Sequence, residues 1–111
     1  MDAQAVYIGV SQVDYSGYPD CRKAFLNTFQ QAADLASKQF VEEGRSIPAI
    51  APLLHLSKAE TIRLGSSLGV DYGLTSSCYA GGETPCGVCA SCRLRAAAFD
   101  AVGVTDPFLV R

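Results

Sequence analysis

The sequence lacks the basic, apolar start that directs export: Asp2 stands where a basic segment belongs, and Ala5 to Val10 is too short for a signal peptide's apolar stretch. No apolar run approaches the roughly 20 residues of a membrane span. Charge of one sign is missing as well. Nine basic side chains stand against eleven acidic for a net charge of -2, which gives no blanket attraction to a nucleic-acid backbone or an anionic membrane. Histidine is nearly absent, with His55 alone. There is no internal repeat, low-complexity tract or linker, so the chain reads as one domain or one part of a domain. These absences point to a reducing cytoplasm, where cysteine clusters are more often metal sites than disulfide frameworks.

What is present is concentrated. Four of the five cysteines fall within fifteen residues, as Cys78-x7-Cys86-x2-Cys89-x2-Cys92. Three arrangements suit such a cluster: two disulfides, an iron-sulfur cluster, or one structural zinc held by four thiolates at about 2.3 Å. Gly87 lets Cys86-Gly-Val-Cys89 bend as a knuckle, and Cys89 and Cys92 share one face if Cys89 lies in the first turn of a helix. Residues 92–102 supply that helix, with Leu94, Ala97, Ala98, Ala101 and Val102 as its apolar stripe and Gly103 as its stop. Arg93 and Arg95 are placed to offset the negative charge of four thiolates. Cys86-x2-Cys89-x2-Cys92 also matches part of a ferredoxin run, but position 96, where the next cysteine belongs, is alanine. Spacing and compartment favour zinc, with iron-sulfur and disulfide arrangements as the alternatives. Cys21 reads as a small half-buried side chain and His55 as a hydrogen-bonded structural residue.

In the rest of the chain, Ala5 to Val10 has the length and β-branched content of a buried parallel strand. A polar loop follows over 11–22, then a long helix from about Cys21 to Val41, capped by Asp20, with Phe25, Phe29, Ala32, Ala33, Ala36 and Phe40 as a core stripe. Ser46 to Leu56, holding Pro48 and Pro52, reads as an edge strand or ordered loop. Ser57-Lys-Ala-Glu60 is a capping box opening a helix that runs to Leu68 and stops at Gly69. In open α/β sheets ligands bind beyond the carboxyl ends of strands, where the 14–22 loop falls. There Asp14 and Asp20 offer carboxylates, Tyr15 and Tyr18 offer ring faces, and Arg22 offers a partner for an anion. A plain solvated turn is the alternative. Lys58 stands in the first turn of the capped helix.

The segments Asp14-Tyr-Ser-Gly-Tyr-Pro-Asp-Cys-Arg22, Pro52-Leu with Ser57-Lys-Ala-Glu60, and Thr75 to Arg95 occur in the order and wording of the 7-cyano-7-deazaguanine synthases, enzymes of queuosine biosynthesis in the ATP pyrophosphatase superfamily. The chain resembles their C-terminal half from Val6 to Pro107. The resemblance implies an α/β fold, the C-terminal part of a Rossmann-like parallel-sheet domain (adenine nucleotide alpha hydrolase-like). Residues 1–77 then carry the strand, substrate loop and helices, and 78–102 the zinc knuckle and its helix. It implies an ATP-dependent, carbon-nitrogen bond-forming ligase acting on 7-carboxy-7-deazaguanine and ammonia. Zn²⁺ sits on Cys78, Cys86, Cys89 and Cys92; ATP enters with Mg²⁺. Asp14, Tyr15, Ser16, Tyr18, Asp20 and Arg22 line the substrate end, and Lys58 lies near the nucleotide or the activated carboxylate. The family's Ser-Gly-Gly-x-Asp-Ser phosphate loop has no counterpart here, so the expectation is a chain inactive alone, needing an N-terminal half or an oligomeric partner. Two other readings stay open: a zinc-knuckle interaction module, and a related ATP-dependent enzyme acting on a different carboxylate.

Overall fold

A computed structural model describes residues 2–13 and 18–110 and divides the chain into two compact units that meet between Leu56 and Ser57. The loop positions Asp14, Tyr15 and Ser16 lie outside the described residues.

In the first unit, β1 (Val6–Tyr7) pairs in parallel with β2 (Ala49–Ile50), Val6 opposite Ala49 and Tyr7 opposite Ile50. Parallel neighbours need a long crossover, and α1 (Lys23–Ala36) with α2 (Lys38–Glu43) provides it. Hydrogen bonds from Ile8 N to Ile50 O and from Gln12 N to Leu54 O, both 2.9 Å, carry the pairing past the strand ends. The parallel direction agrees with the sequence reading; the burial does not. Val6 and Tyr7 are 54% and 70% exposed, because a parallel strand is buried by neighbours on both edges and helices on both faces, and β1 has one neighbour among the described residues.

The single helix expected over 21–41 is broken at Ser37, whose extended backbone (φ -94°, ψ 120°) separates α1 from α2. Phe25 and Phe29 are not core: they stack on each other at 6.2 Å and stand half exposed. The inward side carries Leu26, Gln30 and Ala33 of α1 and Ser37 beyond it; Ala33 and Phe40 are half-buried as expected, while Phe25, Phe29, Ala32 and Ala36 are exposed. Gln30 fixes that rotation. Its amide oxygen accepts from Ala49 N of β2 at 2.6 Å while its NH₂ group donates to Asp34, Ser46 Oγ and the Ile47 carbonyl, so turning the phenylalanines inward would break the bonds of a half-buried amide. Nor does Asp20 cap α1. It lies exposed in a 3-10 turn, Pro19–Cys21, and Arg22 takes the cap position with no side-chain bond. The Lys23 N–H is instead met by Gln12 Oε1 at 3.0 Å.

The second unit is helical. α3 (Lys58–Ser67) opens on the expected capping box, Glu60 N donating to Ser57 Oγ at 3.1 Å and Ser57 N to Glu60 Oε2 at 2.7 Å. The Ser57 N–H bond to its carboxylate holds the Glu60 carboxyl below its ordinary range. A 3-10 turn, Tyr72–Leu74, leads to the cysteine loop, then α4 (Ala90–Val102) and the short α5 (Pro107–Val110). Ile62 of α3 packs on Ala98 and Phe99 of α4, with Ala59, Tyr72 and Val102 around them. Gly103 ends α4 in the left-handed region as expected (φ 81°). Yet Ala97 and Ala101 face solvent, and the buried positions are Cys92, Arg95, Ala98 and Phe99. The stripe is shifted because Phe99, the largest apolar side chain on α4, meets Tyr72 edge-on at 5.8 Å.

Gly65 is buried beneath the Tyr72 ring, whose hydroxyl donates to Thr61 O at 3.1 Å, and a β-carbon there would overlap that hydroxyl. Gly65→Ala gains about 1 kcal/mol of helix propensity. It also expels Tyr72, at about 1–3 kcal/mol of overpacking plus about 1 for the lost bond. The variant is expected to melt below the parent, and an unchanged or higher melting temperature contradicts this packing.

Candidate metal centre

The loop from Cys78 to Cys92 has no buried residue before Cys92, so apolar burial does not shape it. Sulfur does. The four Sγ atoms of Cys78, Cys86, Cys89 and Cys92 all lie within 4.8 Å of one another, with Cys86 and Cys92 4.0 Å apart. A tetrahedron with bonds of about 2.3 Å has edges of about 3.8 Å, so the donor set fits one ion. All four thiols are free. Gly87, at φ 72°, supplies the left-handed knuckle turn between Cys86 and Cys89.

Backbone amides point at the sulfurs. Ala80 N and Cys86 N donate to Cys78 Sγ at 3.4 and 3.3 Å, Cys89 N to Cys86 Sγ at 3.4 Å, and Cys92 N to Cys89 Sγ at 3.4 Å. Such bonds favour thiolate over thiol. The Cys86 and Ala80 amides lower the Cys78 pKa, and those of Tyr79 and Cys92 bring Cys89 down to about 6. Burial has the opposite effect on Cys92, pushed up to about 12. Cys89 is the N-cap of α4 rather than a first-turn residue, its sulfur accepting as a serine oxygen does at a cap.

Arg95 makes no hydrogen bond to the sulfurs, although its charge interacts favourably with Cys92 as expected. It is buried, and its guanidinium is paired with Asp106, each holding the other in its charged form: the Arg95 hydrogen bond keeps the Asp106 carboxyl low, and the Asp106 bond keeps Arg95 high. Arg93 is exposed.

His55 and Cys21 take no part in the cluster. His55 Nδ1 lies 3.3 Å from Gln12 Nε2, and Cys21 is half-buried. Tyr18, Asp20 and Arg22 are exposed on the first unit, beside the start of α1. Lys58 is half-buried at the start of α3 and edges a cavity of about 200 Å³ with Thr61, Tyr72, Thr75, Ser77 and Phe99. Among the described residues no helix is long and apolar enough to cross a membrane.

Comparison with known proteins places the chain in a family. The family described as "Queuosine biosynthesis protein QueC" matches residues 1–103. Relatives named 7-cyano-7-deazaguanine synthase include those of Frankia casuarinae (60% identical, 92% of this chain, 44% of the relative), Nostoc sp. (55%, 95% and 45%) and Coxiella burnetii (53%, 96% and 48%). The chain thus spans about half the length of the curated relatives it matches.

Because burial favours the Cys92 thiol over its thiolate, metal binding is expected to displace a proton, and affinity to rise with pH and fall on acidification. Calorimetry in buffers of different ionisation enthalpy reads that proton; pH-independent binding contradicts the assignment. Cys89→Ser should weaken metal binding at least about tenfold and speed amide exchange over 79–88. Protection in α4, whose core does not include the cluster, should persist.

Proposed function

The chain belongs to the family described as queuosine biosynthesis protein QueC, and from that premise we propose that residues 1–111 form the C-terminal part of an ATP-dependent synthase making 7-cyano-7-deazaguanine from 7-carboxy-7-deazaguanine and ammonia. What carries the reading is the extent of the likeness: more than half of the aligned residues are identical, across more than nine-tenths of this chain, to proteins named for that product. The domain is the C-terminal part of a Rossmann-like parallel sheet, and the β-α-β crossover through α1 and α2 supports this.

In this reading ATP activates the substrate carboxylate and ammonia displaces the nucleotide to leave an amide. A second activation, at the amide oxygen, allows dehydration to the nitrile. The new carbon-nitrogen bond makes the enzyme a ligase. Asp14, Tyr15, Ser16, Tyr18 and Asp20 line the deazapurine, the tyrosine rings stacking on its plane and the carboxylates accepting its N–H groups. Arg22 pairs with the 7-carboxylate. Lys58 stabilises negative charge developing near the nucleotide or the activated acid.

Zinc is the ion that suits Cys78, Cys86, Cys89 and Cys92. An iron-sulfur cluster places several atoms between its cysteines and needs a wider set than sulfurs within 4.8 Å of one another. With four protein thiolates the ion is closed to water and structural. A reducing cytoplasm keeps those thiols available to it. The triphosphate and its Mg²⁺ need a cradle of successive backbone amides, and no Ser-Gly-Gly-x-Asp-Ser stretch occurs in these 111 residues. The relatives' further length is the source we assign, with the half-exposed Val6, Phe25 and Phe29 among the surfaces it covers.

Incubation of the 111-residue chain with ATP, Mg²⁺, ammonium and 7-carboxy-7-deazaguanine is expected to give no nitrile by mass spectrometry. Adding the separately expressed N-terminal half of a relative should restore product, and Arg22→Ala in that mixture should slow it at least about tenfold, roughly 1.4 kcal/mol of transition-state stabilisation. Nitrile from the chain alone, or an Arg22→Ala mixture as fast as the parent, defeats this assignment.

A further inference from the structure

Arg95 lies one helical turn beyond Cys92 on the buried side of α4, and it touches none of the sulfurs through its guanidinium N–H groups. All five of those donors are engaged. Nε and one NH₂ group form a fork on Asp106, the latter at 2.7 Å to Oδ1 and also 3.0 Å to the Tyr72 carbonyl. The other NH₂ group donates to Thr75 Oγ1 at 2.9 Å and to the Thr75 carbonyl at 3.2 Å. The Phe99 and Phe108 rings face the guanidinium carbon at 5.3 and 5.7 Å.

Thr75 stands three residues before the first cysteine of the metal loop and Arg95 three residues after the last. The Arg95–Thr75 bonds therefore join the two stems of the loop just outside the thiolates. Bringing the ends of such a loop together costs chain entropy that an ion must otherwise offset on binding. We propose that Arg95 is a positioning residue that closes this stem before any ion arrives, so that metal affinity is set in part by a side chain that contacts no metal. The inference rests on reading the cluster as a zinc site.

The chemistry requires arginine. Its planar fork meets a carboxylate, a hydroxyl and two carbonyls at once, whereas a lysine ammonium has three donors around one point. Asp106 completes the latch. Its Oδ1 also accepts from Phe108 N at 3.0 Å, seating the start of α5 against the same guanidinium.

The test compares the 111-residue chain with Arg95→Lys, Arg95→Met and Thr75→Val, measuring zinc affinity by competition with a chromogenic chelator. Arg63→Lys serves as control, since Arg63 also bonds a backbone carbonyl of α4, Ala101 O at 3.0 Å, but from an exposed position away from the loop stem. The two Arg95 variants should bind zinc at least about tenfold more weakly, Thr75→Val should shift the same way by less, and Arg63→Lys should be unchanged. Hydrogen exchange of the metal-free parent needs no variant to fold. There, amides at 74–75 and 99–104 should stay protected while those at 79–88 exchange freely. Free exchange at 74–75 in the metal-free parent, or a folded Arg95→Lys chain holding zinc as tightly as the parent, overturns the clamp. A parent chain that binds no zinc overturns the zinc reading instead, and the metal-free exchange pattern then judges the stem on its own.

Discussion

The loop from Cys78 to Cys92 must be held by something other than apolar burial. Between its first and last cysteines no side chain is buried, and Tyr79 and Val88 are 77% and 68% exposed. Its order comes from four sulfurs drawn within one ion's reach, backbone amides aimed at those sulfurs, and the Arg95 stem. An ion bound by such a loop contributes its binding free energy to folding. The second unit thus has two anchors side by side, a small apolar contact of Ile62 with Ala98 and Phe99 and a polar one around Arg95 and the thiolates.

The amides and the burial divide the protons unevenly. Cys89 and Cys78 are eased toward thiolate by N–H donors, while Cys92, on the buried face of α4, resists ionisation. Such a site is part-charged before the ion comes, which limits like-charge repulsion among four sulfurs. The last thiol gives up its proton to solvent when the metal binds its sulfur. Arg95, already paired with Asp106, adds a favourable charge interaction with Cys92, and the ion balances the rest of the sulfur charge.

The cysteine cluster was legible because its evidence is spacing, and a turn glycine, a helix start and four sulfurs are all local. So was the Ser57–Glu60 capping box, and so were the helix stops at Gly69 and Gly103. What the pattern misled about was rotation. Phe25 and Phe29 carry the stronger hydrophobic signal on α1, yet Gln30 turns the helix by its bonds to β2 and Ser46, sixteen or more residues on. The same holds for Gln12 as the distant cap of Lys23, and for Arg95, whose partner Asp106 lies beyond the end of the helix. Long-range polar contacts leave no period in a sequence. The only hint of Arg95 was a charged residue on the stripe that Cys92 begins.

The central claim is that one tetrahedral ion, bound by sulfur alone, organises the loop. X-ray absorption at the zinc edge of the metal-loaded chain tests it most directly. The account predicts a single shell of four sulfurs at about 2.3 Å with no nitrogen or oxygen neighbour. A shell containing nitrogen or oxygen at about 2.0–2.1 Å contradicts it, because His55, water or a carboxylate would then have to occupy a corner the four cysteines are assigned to fill.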